Sequence, residues 1–528
     1  MNISRFAELD KTMAYFRPLS PMGRAAAETL SVTDDPAEIS RRLTGIRLAL
    51  SFSKAKKIKA DKIRYHLKRL PLLEEKEEYS ADGIFLCKKF LNNASGVFSC
   101  LTEKEKKFFG ASFSLQQLLE ELSMDGRKDE FYLADAYEPA LAAVRKSIEE
   151  LDRRLEEETA CLYEKIKKET GLDFSGKDFL IVGREIKQNG EKLLYLEPYD
   201  NFSFTARPIL SPGLVDLGFE KEQLLREEKE AESKVLSRLS ASIKKHFKTI
   251  MECSAALQDI DLAFAGAAMA EELGLSEPKV GRGDKIECEG AFFPPLKKEL
   301  DRLRIDYTAL SFSFTKRINV ITGSNMGGKT IALKTIALCQ TLAQKGLFVP
   351  AVYYCAPVFK SISYLGCESE ISGLSSFGAE ISDLVSVLRD SKEPKLIFAD
   401  EFAKTTNSSQ ACALFSALIE NFSASRVWLF AATHLGGITA TRETDFLSMK
   451  GFDNDKYSSR KDLTCLSEIE RLKLINKHMD YTLIRNRRQM SFYDALNIAR
   501  LLGLDEDIVN SAKKYLEEKS EIKATEDK

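Results

Sequence analysis

The sequence has 528 residues with 78 Lys and Arg against 80 Asp and Glu, so its net charge of −2 argues neither for nor against a nucleic-acid partner. Hydrophobic residues at 44% and charged residues at 30% are those of a globular protein with chain enough for several packed cores, which argues against a disordered or fibrous class. The 10 Cys are scattered without a C-x-x-C pair, and only 4 His accompany them, which argues against a disulfide scaffold or structural zinc and fits reduced thiols in the cytoplasm.

The opening MNISRFAELDK has no apolar h-region, and no apolar run reaches the ~18 residues that span a bilayer, so neither a signal peptide nor a membrane partner is expected. Residues 1–139 read as a helical core. Ser20-Pro21-Met22-Gly23 punctuates one boundary, and Asp34-Asp35-Pro36 followed by Ala37-Glu38-Ile39 reads as a capped helix start. Basic residues cluster between Lys54 and Arg69, the pattern of one solvated helix face.

Residues 140–260 form a different segment. Val144, Ile148, Leu151, Leu155, Leu162 and Ile166 recur at helical spacing and predict a long amphipathic helix, interrupted at Thr159. Two apolar runs, at 179–182 and 192–196, flank Asn189-Gly190, a local turn signal that predicts a small β tip within 176–215. A second helix follows, with Val235, Leu236, Leu239, Ile243, Phe247 and Ile250 on its apolar side. An extended lever with a knob and a compact bundle both satisfy this periodicity.

From about Arg317 short apolar runs alternate with helices, the signature of an α/β domain with a parallel sheet, expected over 261–516 and followed by a polar tail at 517–528. Within it, a β-prone run leads into Gly323-Ser324-Asn325-Met326-Gly327-Gly328-Lys329-Thr330 and then a helical pattern. Glycines let the backbone wrap a phosphate with N–H groups pointing inward, and a helix N-terminus adds partial positive charge. Lys329 is placed to reach β- and γ-phosphates, and the Thr330 hydroxyl suits Mg²⁺. The apolar run Lys395-Leu396-Ile397-Phe398-Ala399 ends in Asp400 and Glu401, the first suited to Mg²⁺ and the second to orienting or deprotonating a water. A third run, 427–432, ends in Thr433-His434, where His434 would sense a γ-phosphate or polarise water.

Together these residues resemble the MutS family. Members carry a TGPNMGGKS-type loop, and this chain has TGSNMGGKT. The stretch from Ser372 to Glu380, SGLSSFGAE, resembles the family's SGRSTFMVE signature loop, and Asp400-Glu401 and Ala432-Thr433-His434 follow in the family's order. Ser491 to Leu516 resembles the closing segment. Residues 7–50 resemble the opening of the helical core, which would make 140–250 its lever and clamp. The resemblance implies a multidomain protein: an α-helical core and lever with a small clamp-like insertion, then a C-terminal α/β P-loop ATPase domain of ABC/MutS type. It implies ATP and Mg²⁺ as cofactors and a homodimer in which Ser375 reaches the partner's γ-phosphate. In relatives the clamp surrounds DNA, so double-stranded DNA is the first partner expected.

Several features depart from the family. The core-like pattern begins within the first ten residues, leaving no room ahead of it for a mismatch reader, and the F-x-E of Phe6-Ala7-Glu8 falls inside an apparent core helix. No additional nuclease domain is expected at the end. The I-G-R-G-T-S that follows the paired acids becomes Phe402-Ala403-Lys404-Thr405-Thr406-Asn407, and the adenine-side R-H-P becomes Ala291-Phe292-Phe293-Pro294. The altered 402–407 loop resembles that of a MutS-like subunit associated with reactivating a cobalamin-dependent lysine aminomutase. A metabolic enzyme is therefore the alternative partner.

Overall fold

The computed structural model describes residues 3–111, 114–127, 130–183, 192–281, 283–323, 327–366, 376–452, 470, 473, 477–485, 496, 499, 504–505 and 507–515. The chain separates into two compact units, Met1–Arg64 with Leu257–Lys528, and Tyr65–Ala256. This division differs from the boundaries expected at 139 and 260. Periodicity shows which face of a helix is buried but not which partner covers it. Among the described residues, no helix is long and apolar enough to cross a membrane.

The first unit opens with α1 (Ile3–Phe6), α2 (Leu9–Met13), α3 (Pro21–Glu28), α4 (Pro36–Ala55) and most of α5 (Lys57–Lys68). The start signals work as read. Ser20 caps α3 by accepting from the Gly23 N–H, Asp35 caps α4 by accepting from Ala37, and a proline follows each cap. On α5 the basic run is a solvated face: Lys57, Lys59 and Lys62 are exposed, while Ala60 and Ile63 are buried.

The second unit contains α6 (Ala81–Cys100), α7 (Glu103–Phe108), α8 (Gln116–Glu121), α9 (Pro139–Thr170), a sheet of β1 (Leu180–Gly183), β2 (Leu194–Pro198) and β3 (Ser203–Pro208), and most of α10 (Pro212–Leu273). The expected seams are the buried ones, with Leu151 and Ile166 inside on α9 and Val235, Leu239, Ile243 and Ile250 inside on α10. Arg145 reaches Glu228 (2.7 Å) and Glu232 (2.8 Å), and Asp152 reaches Lys221 (2.6 Å). Rising numbers on one helix meet falling numbers on the other, so α9 and α10 run antiparallel here. Lys88 and Asp125 form a fully buried ion pair at 2.5 Å, and the Lys88 ammonium also donates to the Glu130 carbonyl.

The small sheet has a non-local strand order. Asn189-Gly190 lies outside the described residues, but the strands flanking it do not form a hairpin: the order is β1-β3-β2, with β3 antiparallel to both. A strand from further along the chain takes the place beside β1 that a local turn would have given to β2. Val182, Leu194 and Ala206 pack with Ile166 and Phe174, while Ile181 and Tyr195 face outward.

Two sheets form the rest of the first unit. One is β4 (Lys279–Gly281), β5 (Ile286–Ala291), β6 (Leu310–Phe314) and β8 (Tyr353–Pro357), in the order β4-β8-β5-β6. The other is β7 (Ile318–Thr322), β9 (Ser361–Leu365), β10 (Lys395–Asp400), β11 (Val427–Ala432), β12 (Thr444–Phe452) and β13 (Met479–Arg485), in the order β13-β12-β7-β11-β10-β9. All its pairings are parallel except that of β13 with β12. Helices α11 (Pro294–Leu303), α12 (Lys329–Gln344), α13 (Ser376–Arg389) and α14 (Ser408–Ser423) connect the strands. The parallel α/β sheet was expected from the sequence; the four-stranded companion was not.

A buried acid ties the N-terminal helices to α10. Asp261, fully buried, accepts from the Leu19 N–H (2.9 Å), the Ser20 N–H (2.7 Å) and the Ser20 hydroxyl (2.6 Å). Gly23 leaves room for it: a Cβ there would lie 2.1 Å from Asp261 Oδ2. Gly23→Ala must push the carboxyl off donors that cost about 1–3 kcal/mol each when left buried and unpaired. A fall of that order in the unfolding free energy is expected from urea denaturation.

Candidate nucleotide-binding site

Three neighbouring strands end at one level. Ile321 of β7 is opposite Ala432 of β11, which is opposite Asp400 of β10. The segments that follow them, 323–330, 433–434 and 400–401, therefore leave the same edge of the sheet. The strands read as continuous apolar runs because they are covered on both faces: every residue of β11 is buried, as are the first four of β7 and the first five of β10.

Ser324, Asn325 and Met326 lie outside the described residues. Gly323 and Gly327 flank them, and Gly328 caps α12 with φ at 87°. Lys329, only 4% exposed, donates to the Gly323 carbonyl at 2.5 Å. Burial pushes its pKa down, while Glu401 and Asp400 pull it back. One residue on, the Thr330 side chain hydrogen-bonds Asp400. Burial pushes the Asp400 pKa up, partly offset by that hydrogen bond. Asp400 Oδ1 is buried without a hydrogen-bond partner.

Glu401 sits in the left-handed region at φ 49°, its N–H bonded to the Ala432 carbonyl (2.9 Å) and its carboxylate paired with Lys404 (3.1 Å). Ala403 is left-handed too, at φ 62°. For non-glycine residues that conformation costs roughly 1–2 kcal/mol each. The Ala403 N–H donates to Glu380 Oε2 at 2.8 Å, and Phe402 and Ala403 are buried in the apolar cluster that includes Leu384, Val387, Ala411 and Phe415.

The structure thus brings together Lys329, Thr330, Asp400 and Glu401. His434 stands exposed at the same sheet edge, after a buried Thr433 whose N–H donates to the Ile321 carbonyl (3.1 Å). Ser375 and most of the closing segment from Ser491 lie outside the described residues. Phe6 is buried and stacks on Tyr364 at 4.0 Å between ring centroids, and Glu8 pairs with Lys334 (2.6 Å), so the F-x-E residues serve packing.

Sequence reasoning missed a cavity of about 410 Å³ that opens beside Gly328, Lys329 and Thr330. Its apolar and aromatic walls include Leu296 and Leu300 of α11, Tyr307, Met449 of β12 and Tyr481 of β13. The altered segment 291–294 is not among them; Phe293 is buried, and its N–H donates to the Tyr307 hydroxyl. Tyr481 carried no motif. It reaches the site only because β13 pairs with β12 at the sheet's far edge.

A parallel sheet whose strand runs through a glycine-rich loop into a helix, beside a strand ending in an acid, is the architecture of P-loop nucleotide-binding proteins. Residues 319–519 match the family model described as MutS domain V, the ATPase domain of that family. Over these residues the chain is similar to the MutS family. It is 28% identical over 335 residues to an "Endonuclease MutS2" of Solidesulfovibrio magneticus, covering 63% of this chain and 39% of the relative. Proteins of the same name from Levilactobacillus brevis (27%, covering 77% and 51%) and Caldicellulosiruptor saccharolyticus (22%, covering 98% and 64%) also match. The chain spans about half the length of these curated relatives.

The unpartnered Asp400 oxygen yields a prediction. Asp400→Asn removes a charge that burial disfavours, so the melting temperature without nucleotide is expected to rise. A further rise on adding Mg²⁺ and ATP is expected for the unaltered protein and not for this variant; differential scanning fluorimetry reads both.

Proposed function

We propose that this protein is an ATPase whose hydrolysis cycle opens and closes a homodimer acting on double-stranded DNA in the cytoplasm. The observation that carries the reading is the convergence of Lys329, Thr330, Asp400 and Glu401 on one sheet edge beside a cavity of about 410 Å³. Gly323 to Thr330 would wrap the phosphates, and Lys329 would set its charge against the β- and γ-phosphate oxygens. Thr330 and Asp400 would hold Mg²⁺, a hard cation that takes oxygen ligands, and the orphaned Asp400 oxygen fits that use. The bound ion would neutralise charge on the phosphates. Glu401 would orient the attacking water, with His434 near the γ-phosphate. Ser375 of each protomer would complete the other's site, so ATP closes the dimer and hydrolysis releases it.

Two observations support DNA as the target. The relatives' name, endonuclease, points to nucleic acid. On α4, Arg41, Arg42 and Arg47 each pair with an acid, whereas Lys54, Lys57, Lys59 and Lys62 have no carboxylate partner among the described residues. That surplus is complementary to a phosphate backbone. The aminomutase-reactivating alternative finds no support in the relatives and is not carried further.

Lys329→Ala is expected to cut ATP turnover by about a hundredfold or more, as loss of a transition-state charge contact does. Glu401→Gln should bind ATP and stay as the closed dimer, seen by light scattering. Normal turnover in either variant would sink the site. Duplex DNA should stimulate the unaltered ATPase, and added salt should abolish the stimulation.

A further inference from the structure

We propose that Glu380 is a positioning residue for the hydrolytic site, holding the 401–403 turn and through it the Glu401 carboxylate. The use of Glu401 in hydrolysis rests on the ATPase reading above; the geometry of the turn does not.

The turn places two non-glycine residues in the left-handed region within three positions, Glu401 at φ 49° and Ala403 at φ 62°. Such a conformation persists only where its surroundings over-determine it. At Glu401 the restraint is the bond from its N–H to the Ala432 carbonyl on β11. At Ala403 it is a side chain, Glu380 Oε2 at 2.8 Å. Both ends of that bond are inside the protein: Glu380 is 1% exposed and Ala403 0%. A carboxyl group is costly to bury for packing alone, and at this site it meets an amide that no strand or helix would satisfy. Phe402, between the two left-handed residues, shares the apolar cluster with Leu384 and Val387 of the same helix, α13. Helix α13 therefore holds the turn by a hydrogen bond and by packing.

Without the acceptor, Ala403 loses the one side-chain hydrogen bond to its N–H, and a relaxed φ there would swing the peptides back to Glu401. A shift of α13 likewise reaches Glu401 through this bond and the packing of Phe402. Glu380 touches neither nucleotide nor water in this scheme. Its effect should fall on kcat and not on nucleotide affinity.

The test compares three substitutions. Glu380→Ala is expected to lower kcat for ATP on the order of tenfold to a hundredfold, as small misplacements of catalytic groups do, with the affinity for a fluorescent ATP analogue unchanged. Glu380→Gln keeps a carbonyl acceptor and should retain most of the rate. Ala403→Gly adopts the left-handed conformation freely, so adding it to Glu380→Ala should restore much of kcat. If Glu380→Ala fails to fold, Glu380→Met fills the same volume without a strong acceptor. Hydrogen exchange of the peptide across 402–404 gives a readout that needs no turnover: protection should be lost with Ala or Met and kept with Gln. Unchanged exchange and kcat in the acceptor-free variant, or a loss shared equally by Gln and not restored by Ala403→Gly, would overturn the proposal. An unaltered protein that turns over no ATP would count against the ATPase reading, while the exchange comparison still decides whether Glu380 holds the turn.

Discussion

Two groups of opposite charge meet at one sheet edge, Lys329 buried at the start of α12 and Asp400 half-buried at the end of β10, and neither is stabilised in full by the other. Burial pushes the Lys329 pKa down and the Asp400 pKa up, so each is disfavoured in its charged form. Their mutual attraction only partly offsets this, since Glu401 beside Asp400 repels it. Anionic oxygens on the lysine side and a cation on the aspartate side would offset both penalties. A soft loop would let both groups turn to water. Strands β7, β10 and β11, covered on both faces, deny them that escape and keep the site preorganised.

The same rigidity extends along α12. At its far end Gln340 and Gln344 are fully buried and spend their amides on each other, on the Tyr354 hydroxyl and on the backbone. Gln340 donates to the Pro357 carbonyl (3.0 Å) and accepts from the Tyr354 hydroxyl (2.8 Å). Gln344 donates to the Phe359 carbonyl (2.7 Å) and to the Thr33 carbonyl (3.1 Å), and accepts from the Phe359 N–H (3.0 Å). A network with its partners in place fixes one arrangement, whereas a half-satisfied one would be a liability. Thr33 belongs to the first 64 residues, as does Phe6, whose ring meets Tyr364 and Phe398 of β9 and β10. The N-terminal segment is thus part of the core on which the phosphate-loop helix rests, which is why it divides from the rest of the helical region.

What was legible in the sequence follows from how local each signal is. The glycine loop, Lys329 and Thr330 lie on consecutive residues between a strand and a helix, and the paired acids close an apolar run, so both could be read and placed. The helix starts at Ser20 and Asp35 were legible for the same reason. The order of the small sheet was not legible because Asn189-Gly190 is a local signal and the pairing is not: β3 lies between β1 and β2. Tyr481 and Met449 come to Gly328 only through the pairing of β13, β12 and β7, and nothing in their neighbourhoods announces it. Glu380 was quoted only as the end of a family-like segment. Its contact with Ala403 depends on how α13 packs.

The 402–407 loop departs from the family pattern at a turn whose backbone is left-handed at two non-glycine residues. Two glycines of the family pattern are absent, and the sequence alone would suggest a different geometry. Ala403, standing where the family has the first of them, is left-handed at φ 62°. Glycine holds that conformation at little cost, whereas alanine needs a partner to hold it there. Here the partner is a buried hydrogen bond from another helix. The shape of the turn has passed from the loop's own residues to its tertiary surroundings. It is therefore open to influence from α13 in a way that a glycine turn would not be.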